Sequence, residues 1–252
     1  IVSQHGGHYG VGKWNASERH EISVADSYIS WGWKEKGVFP IGSANLSGSK
    51  KKKLFKRNNS ALLVLGLVPR YSYWLYSIPI SSQWGNYIDD QIIFLESLPK
   101  NISKILKIRL SPNDYGWGHK KRLVEKLPFL KFDELQNTFE SSIRDCKIFI
   151  GTYNATTFLE TLSLNIPTII FWNPKHWEIR QSAEPYFSLL HQAGILHYTP
   201  QSAASHLTKI WNNADEWWSQ EKTQKAKLTF INNYARTSDN FIIEWKEFIE
   251  NN

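Results

Sequence analysis

The sequence holds one cysteine and no methionine. A single thiol, Cys146, rules out an internal disulfide framework and a Cys-rich zinc site, and it fits a reducing compartment. Its plain expectation is burial. No apolar run approaches the ~18 to 20 residues that span a bilayer, and Ile1-Val2-Ser3 is too short for a signal peptide. The chain is therefore expected to be soluble and cytoplasmic. A first residue of Ile, with no Met anywhere, is expected to mark a fragment boundary or processing point. Internal repeats and long low-complexity segments are also missing.

At 252 residues and 41% hydrophobic content the chain can fill one large core, or one domain with part of another. The net charge of +7 suits phosphate-bearing partners, yet much of it lies in Lys50-Lys51-Lys52-Lys53 and Lys56-Arg57. That run reads either as a solvated linker or as a contact for an anionic membrane surface or a polyanionic acceptor. Nucleic acid is not expected as a partner, because aromatics do not interleave with the run and no recognised motif accompanies it. Twelve tryptophans and eleven tyrosines serve cores as well as sugar or base stacking.

Residues 1–46 carry short apolar runs (Ile22-Ser-Val24, Tyr28-Ile-Ser-Trp31, Val38-Phe-Pro-Ile41) broken by glycines, which predicts strands and loops rather than long helices. Residues 47–59 have the composition of a basic linker. Ala61 to Val68, a continuous apolar run stopped by Pro69, reads as a buried strand. Further strands are expected at Ile105–Leu110, Lys147–Ile150 and Thr168–Trp172, with helices at Ser82–Leu98, Leu135–Ser142 and Thr156–Leu164. This alternation predicts an α/β fold, a Rossmann-like parallel sheet flanked by helices. Beyond Ala183 the chain reads as mostly helical, with residues 236–252 as a C-terminal helix.

Ligands of open parallel sheets gather beyond the carboxyl ends of the strands, where helix N-termini offer free amides. Gly151-Thr-Tyr-Asn-Ala-Thr-Thr157 follows a strand and opens a helix, so Thr152, Asn154, Thr156 and Thr157 are candidate phosphate ligands. Helix capping by Asn154 or Thr156 is the competing account. Glu160, one turn on, either accepts from ribose hydroxyls or is a surface carboxylate. Arg109 sits at a strand end, where its forked guanidinium can hold two phosphate oxygens or make a structural ion pair. Asp114 and Tyr115 either touch a base or acceptor or make the turn. Pro69–Tyr76 combines four aromatics with Arg70, as a stacking surface or as cover for the core edge.

Gln4–Gly12 places His5 and His8 among four glycines, making His5 a candidate general base. Metal binding by the two histidines lacks a carboxylate at ligand spacing, so no metal site is expected. His176, Glu178 and Arg180 lie just past the last apolar strand, facing a ligand there or forming ordinary surface charges.

Taken together, QHGGHYG, SWGW at 30–33, PRYSYWLYS at 69–77, RLSPNDYGW at 109–117 and GTYNATTFLETLSLNIPTIIFWNPKHWEIR at 151–180 resemble the LIC12162-type transferases, from Gln4 to about Tyr234. The family is associated with bacterial surface carbohydrate such as O-antigen, and is similar to GT-B glycosyltransferases. The resemblance implies a GT-B-like C-terminal domain that binds a nucleotide-sugar donor (60–235), preceded by the tail of an N-terminal Rossmann-like domain (1–46). It implies a glycan or lipid-linked glycan acceptor of O-antigen or capsule type and no obligatory cofactor. The layout is more distantly similar to Kdo and polyglycerol-phosphate transferases, which makes a cytidine-linked donor one option. On this reading the loop after Ile150 and Arg109 hold the donor phosphate, Glu160 the ribose, and His5 acts as base. Arg180 is a further sugar or phosphate contact. A nucleotide-sugar epimerase and a non-catalytic carbohydrate-binding partner are the rival readings.

Overall fold

The computed structural model describes residues 1–49, 59–72, 74–133, 136, 138–144 and 146–251. Most of the expected basic linker, and Leu135 at the start of an expected helix, lie outside the described residues.

The first unit is a three-stranded parallel sheet of β1 (Val2–Ser3), β2 (Tyr28–Ile29) and β3 (Val38–Phe39), in that order. Between β1 and β2 runs α1 (Ala16–Val24), which is capped by Asn15, whose side chain accepts from the Glu18 amide at 3.1 Å. The expectation of strands and loops is corrected here, because Ile22–Val24 form the last turn of a nine-residue helix. Its one buried residue is Glu18, with only Ile22 packing partly buried against the core beside it, so no apolar stripe announces the helix. Buried Gln4 ties the strand ends together, its Oε1 accepting from Trp31 N at 3.0 Å and Trp33 Nε1 at 2.8 Å. A short helix, α2 (Ala44–Ser49), ends the unit.

The second unit holds β4 (Ala61–Val64), α3 (Trp84–Glu96), α4 (Lys100–Ser103), β5 (Lys107–Arg109), α5 (His119–Lys126), β6 (Lys131–Phe132), α6 (Phe139–Arg144) and β7 (Ile148–Gly151). It continues with α7 (Thr156–Ser163), β8 (Thr168–Phe171), α8 (Glu184–Gln192), β9 (Leu196–His197), α9 (Pro200–Ile210), α10 (Ala214–Ser219) and α11 (Glu221–Tyr234). Its six strands are all parallel, in the order β6-β5-β4-β7-β8-β9. This is the doubly wound order, and it reverses direction between β4 and β7. Every residue of β4, β7 and β8 is buried, which is why those strands read as unbroken apolar runs.

The expected strand from Ala61 to Val68 stops at Val64. Leu65 N still makes a ladder bond to Arg109 O of β5 at 3.1 Å, and the chain then leaves the sheet, Gly66 N donating to the Tyr87 hydroxyl at 2.6 Å. The last expected strand ends at Phe171, and the helix expected from Leu135 begins at Phe139. Strands β6 and β9, two residues each, and helix α5 went unforeseen.

After α11 the chain returns to the first unit. Arg236 N bonds Trp31 O and Arg236 O accepts from Ser43 N, both at 2.9 Å, and α12 (Phe241–Asn251) lays Phe248 against Phe39 with ring centroids 4.9 Å apart. One hydrophobic cluster runs from Tyr28 and Trp31 through Leu62, Phe149 and Phe158 to Phe230 and Tyr234. The two sheets thus share a core.

Candidate active site

Between the two units lies a cleft of about 540 Å³. Its lining segments follow the carboxyl ends of strands: His5 to Asn15 after β1, Leu65 to Ile78 after β4, Leu110 to Pro112 after β5, and Tyr153 to Thr157 after β7. The strands β4 and β7 flank the point where the sheet order reverses, the place where such sheets take nucleotides.

Helix α7 opens on this cleft without a side-chain cap, since its N-cap is Ala155. The first-turn amides consequently keep their positive end for something else. Beside them Asn154 is 1% exposed, lines the cleft, and has no hydrogen-bond partner for either side-chain polar atom. A buried amide left unmatched costs about 1–3 kcal/mol. Such a group takes its partner from a ligand or from an ordered water, and Asn154 lies where a ligand in the cleft would reach it. Thr157 lines the cleft as well.

The other two hydroxyls of the loop are committed internally. Thr152 is fully buried and bonds Val64 O at 2.9 Å and the Tyr87 hydroxyl at 2.6 Å, tying the end of β7 to that of β4. Thr156 Oγ1 accepts from Gly7 N at 3.0 Å, which joins the first unit to the helix start. Gly7 is required there: a Cβ would sit 2.6 Å from the Ala155 carbonyl carbon.

From the first unit comes His5. Its Nε2 lies 2.7 Å from the Tyr9 hydroxyl and 3.1 Å from Glu21 Oε1, while Tyr9 donates to the same carboxylate at 2.9 Å. Because Glu21 accepts and Tyr9 gives its proton to Glu21, Nε2 carries the ring hydrogen and Nδ1 is the basic nitrogen. Glu21, which Tyr28 also touches at 3.3 Å, escaped the sequence reading because no spacing pattern links it to His5. His8 plays a different part. Burial pulls it down to about 4, so it is neutral; Nε2 donates to Ser77 O at 3.2 Å and the ring packs where a Cβ on Gly12 would go.

Arg109 lines the cleft with its guanidinium paired to Asp133 and 3.2 Å from Ser142 Oγ, so the structural ion pair is present. Arg180 is held inward by Glu18 and by Gly12 O at 3.1 and 3.2 Å, binding the segment after β8 to α1. Glu178 pairs with Lys13 at 2.9 Å. His176, partly buried and thereby lowered, lies outside the lining, as do Glu178 and Arg180. Arg70 reaches Gly116 O at 3.4 Å and stacks over Trp117, while Asp114 accepts from the Gly118 and His119 amides, which lower its carboxyl. Those contacts, with Tyr115 at φ 51°, build the turn before α5 rather than the cleft wall. Among the described residues no group of three or more His, Cys, Asp or Glu is placed to hold a metal ion.

Glu160 stands behind the cleft. Burial, aided by Glu140, pushes its carboxyl from 4.5 up to about 7. Between those values the folded chain holds a proton that the unfolded chain has released, so stability falls as pH rises through the window. Glu160→Gln is expected to remove that slope and to be the more stable form at about pH 8. Melting temperatures across the window check this, and parallel profiles for both proteins would contradict it.

The deep end of the cleft is apolar, with Leu65, Leu67, Val68 and Trp84. Trp84 is fully buried, stacks on Tyr87 with centroids 4.4 Å apart, and has an indole N–H without an acceptor. The cleft therefore joins an apolar aromatic end carrying one spare donor to a polar end made of helix amides and Asn154.

No helix among the described residues is long and apolar enough to cross a membrane. No curated protein matches the chain. Among solved structures, the wall teichoic acid polymerase TagF soaked with CDPG aligns with a TM-score of 0.42 and 11% identity, over 93% of this chain and 61% of that one. TagF without that soak gives 0.40 and 12%, over 93% and 62%. WaaG, a glycosyltransferase involved in lipopolysaccharide biosynthesis, gives 0.41 and 15%, over 88% and 55%. The chain thus spans less than two thirds of the length of each. Residues 1–249 match the model of the LIC12162 family transferases, and the chain belongs to that family.

Proposed function

We propose that the cleft binds a nucleotide-activated sugar and that the protein transfers the sugar to a hydroxyl of a glycan acceptor. The observation that carries this is the unpartnered amide of Asn154 at the uncapped start of α7, in the same cleft as a carboxylate-oriented histidine. The α7 amides and Asn154 Nδ2 donate to the donor phosphate, and the apolar end around Trp84 takes the nucleoside. His5 Nδ1 receives the proton of the acceptor hydroxyl as its oxygen bonds the anomeric carbon. The bond from that carbon to the phosphate oxygen breaks, and the nucleotide leaves with its new charge facing fixed protein dipoles. No metal is obligatory in this scheme.

The finer assignments rest on the family. A surface polysaccharide of O-antigen or capsule type is the proposed acceptor, and cytidine-linked sugars are the first donors to test. The proposed setting is the cytoplasm, at the inner face of the membrane where a lipid-linked acceptor is reached.

Incubation with a panel of nucleotide-sugars and glycans, followed by chromatography of both, tests the reading. Free nucleotide appearing with an extended glycan supports it. An isomerised donor without transfer would instead mean an epimerase, and glycan binding without nucleotide affinity a carbohydrate-binding partner.

A further inference from the structure

Six of the large hydrophobic side chains that stand exposed among the described residues belong to segments that line or adjoin the cleft: Trp74, which lines it, and Trp14, Tyr71, Leu75, Ile80 and Tyr115 on neighbouring stretches, from 43% exposed at Trp74 to 88% at Tyr71. They come from four segments stitched into one rim. Ala16 N bonds Leu75 O at 3.1 Å and Ser77 N bonds Trp14 O at 2.9 Å. Ser81 Oγ donates to Arg70 O, and Arg70 Nη1 reaches Gly116 O at 3.4 Å. So many exposed apolar side chains on joined segments are costly for a surface that meets only water, and they mark an interaction face.

The charges around the rim indicate what it meets. Arg19 lies over Trp14 at 4.2 Å and Arg70 over Trp117 at 5.6 Å, each setting its cation on an aromatic face. Three acids on the elements of this face are occupied: Asp114 by the Gly118 and His119 amides, Glu178 by Lys13, and Glu21 by His5, Tyr9 and Tyr28. The rim therefore presents Trp, Tyr and Arg together with bare aliphatic side chains. Leu75 and Ile80 give a sugar neither a ring face nor a hydrogen bond. Aromatics and snorkelling cations around aliphatic tips are the composition that settles at the boundary between headgroups and acyl chains, and unpaired arginines favour anionic lipid there.

We infer that the rim formed by Trp14, Tyr71, Trp74, Leu75, Ile80 and Tyr115 docks on the interfacial layer of an anionic bilayer, with the cleft opening toward the membrane. This holds whichever donor the cleft takes. A second exposed apolar set, Ile242, Ile243 and Ile249 on α12, alternates with Glu244, Glu247 and Glu250 and is unsuited to an anionic surface.

Flotation with vesicles of phosphatidylcholine alone, or mixed with phosphatidylglycerol, tests the inference. The protein is expected to float with the mixed vesicles and not with the neutral ones. A Tyr71→Ser, Leu75→Ser, Ile80→Ser triple variant should lose roughly tenfold or more in apparent affinity, while Ile242→Ser with Ile249→Ser should bind as the parent does. Any of four results would overturn it: no binding to mixed vesicles, equal binding by the triple variant, loss confined to a variant with Lys50 to Lys53 changed to Gln, or rim-dependent self-association without lipid. The last would assign the rim to a second copy of the chain.

Discussion

Replacing His5 with alanine is expected to slow sugar transfer by roughly 10² to 10⁴-fold, the usual contribution of a positioned base, while leaving nucleotide binding intact. The two effects separate because His5 belongs to the first unit and the unpartnered groups of the phosphate end belong to the second. Glu21→Gln should give a smaller loss of the same kind. The amide still meets the ring, but it no longer stabilises the imidazolium that forms as the acceptor loses its proton. Turnover at saturating donor, measured beside nucleotide affinity, distinguishes the outcomes. Unchanged turnover in His5→Ala would remove the base from the scheme, and a parallel loss of nucleotide affinity would make His5 a binding group.

Arg180→Ala is expected to cost about 3–5 kcal/mol of folding stability, because it strands a carboxylate that is buried and paired. Glu18 has a side chain only 4% exposed; its two oxygens serve Arg180 and the Gly10 amide. Domains have about 5–15 kcal/mol in all, so the loss is large. Urea unfolding measures it. Changing both partners, Arg180→Met with Glu18→Leu, should recover much of the difference, since paired removal leaves no lone buried charge. A cost below ~1 kcal/mol for Arg180→Ala would be the behaviour of a solvated surface pair and would contradict this account of the joint between the units.

Those two residues also show where the sequence is legible. Strands β4, β7 and β8 are buried on both faces, so Ala61–Val64, Ile148–Gly151 and Thr168–Phe171 stand out as apolar runs in any reading. Helix α1 does not, because its one buried residue is Glu18 with a lone Ile22 beside it, and the arginine that makes burial tolerable lies 162 positions away. Strands β6 and β9 are too short for a period to register.

At the site, the loop after β7 is visible as a polar turn opening a helix, but its side chains look alike on paper. Only packing shows that Thr152 faces Tyr87, that Thr156 faces Gly7, and that Asn154 faces nothing in the protein. Glu21 and Trp84 owe their roles to neighbours brought in by the fold, and so carried no signal of their own.

The most direct test is a calorimetric titration of nucleoside mono- and diphosphates into the wild type and Asn154→Asp, with the unliganded melting temperature of each confirming that both are folded. The wild type is expected to bind at least one of them. The substitution replaces a donor facing the phosphate with a negative charge and should weaken binding by roughly 10- to 100-fold, the worth of a charge-assisted hydrogen bond. Equal affinities in the two proteins, or no nucleotide binding by the wild type, would contradict a donor site at the start of α7.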